Sequence, residues 1–392
     1  MRIEPFQQQH WTAQHESNIR YNLIGSGIAP LSMNELLALD GSIPENRMVS
    51  LANLPVDYSA TNGAVSLREE IAGTYEACGP ENILVTTGAS EANFLAFNTM
   101  LSAGDHVIAP YPAYQQLLSI PRAIGCDVSL WHCRRENGFK FDLSELEGLV
   151  TSKTKLIVVN SPLNPTGTTL TNADMAGIYA MAKNVGAFLL SDEVFRWLHP
   201  ASAPCEMAPA FNLGDSAISI GTMSKPFGLA GLRTGWIAAQ PEFIEKCRAL
   251  RYYVSFSTGS INDLLATIAL KNKERIFQRS NGIITTNLAL AEQWVAARAN
   301  LLSFIAPSGG PVGMLHYRLD IPSIQLADRL AAEYGVLLAP GTVFGLESYL
   351  RLPLGRNPEV FRDGIEAIDK CFSDLLGRRS AGKVLQSSAH AP

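Results

Sequence analysis

The run ISIGTMSKPFGLAGLRTGW sets a lysine where amine chemistry is plausible. An apolar stretch ends at Gly221, and Thr222, Ser224 and Lys225 follow in a turn of small residues. Desolvation there lowers a lysine's pKa, and a neutral amine is what condensation with a carbonyl requires. A structural lysine is the plainer alternative. In LLSDEVFRW an apolar run ends on Asp192 and Glu193. Ligands of open α/β sheets bind at the carboxyl ends of strands, where Asp192 could pair with a protonated ring nitrogen. By itself it suits a helix cap equally well. VVNSPLNPTG is a turn by composition that offers the Asn164 amide next to a strand end. VTTGASEANFL runs from a strand through Gly88, Ala89 and Ser90 directly into a helix. Free backbone N–H groups and the helix dipole make such a junction an anion site, although it is neither a P-loop nor a GxGxxG.

These residues need elements to hold them at one edge. Short apolar runs occur at ILVTTG (83–88), HVIAP (106–110), DVSLWH (127–132), KLIVVN (155–160), AFLLS (187–191), AISIG (217–221) and GWIAA (235–239). They are too short for helices and alternate with helical patterns, which predicts a mostly parallel sheet covered on both faces. Asp142 and Glu145 have capping-box spacing, and Gly186 sits where a helix C-terminus favours a left-handed residue. From about residue 241 the pattern is mainly helical, with strand-like stretches at MLHYRLD (314–320) and VLLAP (336–340). The final AGKVLQSSAHAP reads as a frayed tail.

Composition excludes several functions. The 392 residues are 47 % hydrophobic and 17 % charged with net charge −5, a globular balance that argues against nucleic acid or an anionic membrane as partner. No apolar run reaches the ~18–20 residues of a membrane span. The N-terminal residues lack the apolar core of a secretory signal, and the six cysteines form no CxxC pair, so a reduced, cytoplasmic protein is expected. The seven histidines are dispersed and form no metal motif.

Taken together, YSATNGAVSLREEIA, TTGASEA, PYPAY, NSPLNPTG, SDEVF, SKPFGLAGLRTGW, PGTVFG and YLRLPLG resemble the signatures of the class I/II aminotransferases, fold type I enzymes dependent on pyridoxal 5′-phosphate (PLP). The resemblance runs from about residue 20 to 375. It implies a seven-stranded, mostly parallel α/β sheet in a large domain beside a smaller α+β domain. The expected division is an arm over 1–45 packing with the small domain, a large PLP-binding domain over 46–265, a small domain over 266–380 and a tail over 381–392. Lys225 is implied as the Schiff-base lysine, Asp192 as partner of the pyridinium nitrogen, and Asn164 as donor to the phenolic oxygen. Tyr114 is implied as the stacking ring. Gly88, Ala89, Ser90, Thr222, Ser224 and Arg233 are implied as the phosphate site. Tyr58 matches a tyrosine that reaches the phosphate of a neighbouring subunit, so a homodimer is implied. Arg351, with Asn164 and Gly27, is implied to hold the substrate; an arginine fork fits a carboxylate in bidentate geometry.

The resemblance implies an aminotransferase that moves the amine of an α-amino acid to a keto acid. Three departures point elsewhere. Phe195 stands where most members have a tyrosine that donates to the cofactor's phenolic oxygen. NLIGSGIAP differs from the usual Gly-Glu-Pro entrance, and GGPVGML lacks an expected aromatic. Near RYYVSFSTG no arginine is clearly placed for a second carboxylate, Arg251 being close but not aligned with that position, so an aspartate specialist is not expected. These departures resemble a side branch that includes capreomycidine synthase, whose members carry out eliminations and cyclisations on arginine-derived substrates. That chemistry is the alternative expectation.

Overall fold

The computed structural model describes residues 2–203 and 207–388, with the backbone alone for 378–388. Cys205 lies outside the described residues, and the five described cysteines are free thiols. The strands in chain order are β1 Tyr21–Asn22, β2 Ile83–Thr86, β3 His106–Tyr111, β4 Asp127–His132, β5 Thr154–Asn160, β6 Phe188–Asp192, β7 Ala217–Thr222, β8 Gly235–Ala238, β9 Leu302–Phe304, β10 Val312–Tyr317, β11 Val336–Leu337, β12 Ala339–Pro340 and β13 Tyr349–Pro353. Seven of them form the main sheet in the order β2-β8-β7-β6-β5-β3-β4. Only β8 runs antiparallel to its neighbours. The expected large sheet is therefore present, with its seven apolar runs as its strands.

Side-chain alternation shows why these runs are apolar throughout. In β5, Leu156 and Val158 join one core with Leu95, Phe97 and Ile244. Ile157 and Val159 point the other way and join Met175, Ile178 and Leu189. Both faces are covered by helices, so neither set of alternate residues meets water. The helix Asn172–Asn184 starts at a complete capping box between Thr171 and Asp174, and Gly186 beyond its end has φ +73°. The box expected at Asp142 forms only in part. Asp142 accepts from the Ser144 N–H, but Glu145 turns away to Arg134 and His132. A nearby guanidinium outcompetes a backbone N–H for a carboxylate.

A second sheet, β12-β13-β10-β9, packs with the 24-residue helix Lys273–Ala296 and the helices Ser323–Tyr334 and Pro358–Ser388. VLLAP is not one strand. Val336 and Leu337 pair in parallel with Tyr21 and Asn22, whereas Ala339 and Pro340 pair with β13. The N-terminal chain supplies the partner that separates them. The backbone of 381–388 continues the last helix rather than fraying as expected. The first helix, Gln7–His15, rests on Ser323–Tyr334 through Trp11, and it also meets the large sheet's side, where Phe6 packs on Tyr114 at 5.2 Å. No helix among the described residues is long and apolar enough to cross a membrane.

Candidate active site

Parallel pairing aligns the chemistry. Register sets Asn160 at the end of β5 beside Asp192 at the end of β6, with Thr222 at the end of β7 beside Gly235. The carboxyl edge of the sheet therefore presents an amide, a carboxylate and a hydroxyl side by side, and Lys225 follows in the turn after β7. This edge opens into a cavity of about 200 Å³. Of the residues expected at a site, Ala89, Ser90, Tyr114, Asn164, Asp192, Phe195, Thr222, Ser224, Lys225, Arg233 and Arg351 all line it.

Gly88 is the N-cap of the helix Ala89–Met100, just before the cavity residues Ala89 and Ser90, with φ +84°. A Cβ there would lie 2.6 Å from a nitrogen of Arg233, so only glycine lets the guanidinium close on the turn. The helix N-terminus, Arg233, Thr222 and Ser224 together make a cradle for a phosphate. Gly27 lies against the lysine; a Cβ on it would meet Lys225 Cδ at 3.6 Å. Its neighbour Ser26 reaches the site, accepting from Lys225 Nζ at 3.0 Å.

The ionisable groups are held by neutral partners. Asp192 is 2 % exposed, accepts from Asn93 Nδ2 at 2.9 Å, and also takes the Val194 N–H. Burial pushes its carboxyl up to about 6, against the pull of these two donors and of Lys225. Burial also lowers Lys225 to about 8, with Arg351 adding to the effect. Arg351, in β13 of the second sheet, donates to Asn164 Oδ1 at 2.9 Å and to the Ile24 carbonyl at 2.6 Å. Its Nε is buried without a partner, and burial pulls its guanidinium down to about 10. Asn160 ties the site together, donating to the Asp192 carbonyl at 2.8 Å and accepting from the Asn164 N–H at 2.9 Å.

One expected residue, Tyr58, stands apart, and so does Arg251, which the sequence left without a placed role. Tyr58 is 78 % exposed, packs on Phe256, and does not line this chain's cavity. Arg251 is buried and structural: it donates to the Thr61 carbonyl at 2.6 Å and to Ser255, with Glu91 3.7 Å away. Sequence reasoning missed Gln8, Gln9, Ser26, Asn93, Asn160 and Val194, which also line the cavity. Asn93 is one helical turn past the phosphate-site glycine and Asn160 closes a strand, so both had a positional signal. Gln8 and Ser26 had none. No group of metal-ligating side chains occurs among the described residues.

A buried carboxylate with only neutral donors is suited to a cationic ring nitrogen. A lysine near 8 is suited to a carbonyl, and the glycine–arginine cradle to a phosphate. That donor set fits pyridoxal phosphate and defines a PLP-dependent enzyme of fold type I. Residues 44–368 match the aminotransferase class I and II family, and the chain belongs to it. It is 30 % identical over 380 residues to capreomycidine synthase from Streptomyces vinaceus, covering 96 % of this chain and 94 % of that one. A PLP-dependent aminotransferase from Streptococcus suis superposes with TM-score 0.91 at 32 % identity, covering 96 % and 99 % of the two chains. The PLP-dependent cyclase OrfR superposes with TM-score 0.86 at 29 % identity, covering 94 % and 97 %.

Proposed function

We propose that this enzyme acts on an arginine-derived α-amino acid and carries out an elimination with ring closure rather than amine transfer. The α-proton and a leaving group on the β-carbon depart together, a side-chain nitrogen bonds to the β-carbon, and that nitrogen's proton returns to the α-carbon. The amino group stays in the product. The observation that carries this reading is the full-length likeness to capreomycidine synthase, over 96 % of the chain. The likeness to the cyclase OrfR agrees with it. Phe195, buried in the cavity wall, supports it from the site itself, because it brings no hydroxyl to a cofactor oxygen.

When bound, pyridoxal phosphate supplies the electron sink that stabilises negative charge at the α-carbon. Gly88, Ala89, Ser90, Thr222, Ser224 and Arg233 would hold its phosphate, and Tyr114 would pack on its ring. Asp192 would keep the ring nitrogen protonated, and Asn164 would donate to the phenolic oxygen. Arg351 would grip the substrate carboxylate beside Gly27 and so fix which α-carbon bond faces Lys225. Lys225 would anchor the cofactor and, as a free neutral amine, remove the α-proton. Tyr58 completes the phosphate site of a second copy in a homodimer. The apolar surface around it, with Val56 91 % and Tyr253 90 % exposed, supports that assembly.

Transamination is the second reading, supported by the likeness to the Streptococcus suis aminotransferase. The test is product analysis of the holoenzyme with arginine, arginine derivatives that carry a leaving group on the β-carbon and a panel of other amino acids, with and without a keto acid. Loss of the β-substituent with the α-amine retained and no need of a keto acid is the expected result. Amine transfer that depends on a keto acid would establish transamination instead.

A further inference from the structure

The helix Gln7–His15 has the sequence QQQHWTAQH and buries Gln8, Trp11 and Thr12. Positions i, i+3 and i+4 share one helical face. Trp11 explains the docking: its indole N–H donates to Asp328 at 2.8 Å, and it packs with Ala327 and Leu337. His15 stacks on Trp11 and lies 3.2 Å from Asp328. The other end is fastened to the opposite side of the cavity. The Gln7 N–H donates to Gln115 Oε1 at 2.8 Å, Gln115 Nε2 donates to the Pro5 carbonyl at 2.9 Å, and the Ser119 hydroxyl donates to Glu4 Oε1 at 2.7 Å. The helix is thus a strap tied to both sheets' sides across the mouth of the site.

The strap presents Gln8 to the cavity. Gln8 is 8 % exposed and lines the cavity with Lys225 and Arg351. Its backbone carbonyl accepts from Thr12, but its carboxamide has no hydrogen-bond partner among the described residues. Its amide atoms are open to the cavity, so a ligand group that pairs with them replaces the water they would otherwise hold, and one that cannot loses that bond. The charged residues of the lining are Lys225, Arg233, Arg351 and Asp192, each with a role in the reading above. The wall formed by Gln8, Gln9 and Ser26 is neutral.

We propose that Gln8 reads the end of the substrate's side chain, its Oε1 accepting from an N–H of a guanidino, ureido or carboxamide group. This rests on the reading of the cavity as an amino-acid site, and it holds for ring closure and transamination alike. A long side chain that ends in N–H donors satisfies the amide. An apolar one of equal length displaces its water and leaves it unpaired, whereas a carboxylate would have to take the Nε2 donors instead of Oε1.

The test compares arginine, citrulline, norleucine and glutamate on the holoenzyme of the native chain and of Gln8→Leu and Gln8→Glu. Dissociation constants come from calorimetric titration, and amide-hydrogen exchange over residues 7–15 is a second readout. Native enzyme should prefer arginine and citrulline to norleucine, and both should protect the strap from exchange. Gln8→Leu should lose about tenfold in that preference, the loss of one hydrogen bond to a polar or charged donor. Gln8→Glu should shift selection toward arginine over citrulline by a similar factor and reject glutamate further. If the strap undocks in Gln8→Leu, seen as fast exchange without ligand, Gln8→Glu decides. Unchanged ratios among the four ligands in Gln8→Glu would overturn the proposal. A keto-acid product from the native enzyme would defeat ring closure and leave these ratios as the test of Gln8.

Discussion

Replacing Asp192 by asparagine should stabilise the cofactor-free protein at neutral pH while crippling the holoenzyme. The carboxyl titrates near 6 in the folded chain against an ordinary value of 3.8, because burial outweighs its two hydrogen bonds and the pull of Lys225. The folded state therefore holds its proton more tightly than the unfolded chain does. By linkage, stability falls as pH rises from about 4 to about 6, and the full penalty is present at pH 7. A gap of roughly two pKa units is about 3 kcal/mol. Asparagine has nearly the same shape and cannot ionise, so the variant should escape that penalty. Urea unfolding of the two cofactor-free proteins at fixed concentration measures it. The variant should be more stable by about 1–3 kcal/mol at pH 7, allowing for the relaxation that shrinks electrostatic penalties in real proteins. That advantage should shrink toward nothing near pH 4. Binding the cofactor should reverse the ranking, since a cationic ring nitrogen compensates the carboxylate and not the amide. A variant less stable than the native chain at pH 7, or an advantage that does not change with pH, would refute the claim that Asp192 is a strained ion awaiting a cation.

Lys225→Ala should leave no cofactor covalently fixed to the protein after borohydride treatment, as judged by mass spectrometry. Arg351→Ala should lower kcat/KM by two or more orders of magnitude, since buried charge-assisted hydrogen bonds are worth ~1.5–3 kcal/mol each and a carboxylate would lose two; normal kinetics would move the carboxylate grip elsewhere. Tyr58→Phe should weaken cofactor retention several-fold in a protein that sediments as a dimer, and an active monomer would remove the reason for the effect. In Phe195→Tyr the pH midpoint of the lysine-bound cofactor's visible absorbance should fall by on the order of one unit, because a new donor stabilises the phenolate. An equal or higher midpoint would make Phe195 a packing residue only.

The sheet and its carboxyl edge were legible because both come from short-range pattern. Apolar runs of five or six residues with helical stretches between them admit few arrangements, and parallel pairing then sets Asn160 beside Asp192, with Thr222 two residues past the Ile220 that pairs with Asp192. What escaped detection depends on contacts far along the chain. VLLAP reads as one strand until Tyr21 and Asn22 take half of it. Glu145 reads as a cap until Arg134 arrives from the preceding loop. Arg251 has no readable role in RYYVSFSTG until Thr61, 190 positions away, accepts from it. Gln8 carries no signal in an N-terminal segment that reads only as an arm packing with the small domain, because its burial depends on Trp11 finding Asp328 across 317 positions.

The site's three central ions share one construction. Asp192 is held by the Asn93 amide, Lys225 by the Ser26 hydroxyl, and Arg351 by the Asn164 amide and a backbone carbonyl. No salt bridge joins any two of them, although Lys225 lies close enough to influence Asp192. Pairing these ions with one another would relieve much of their burial cost, and each bond would then have to break before a ligand could enter. Neutral partners fix direction without cancelling charge. Each ion therefore keeps its field for a ring nitrogen, a carbonyl or a carboxylate. The cost appears as the displaced titration of all three, and the large cores on both faces of the sheet offset it. Gln8 extends the same construction to the substrate's far end: a neutral amide open to the cavity and oriented by its helix, so that the right side chain pairs with it and the wrong one does not.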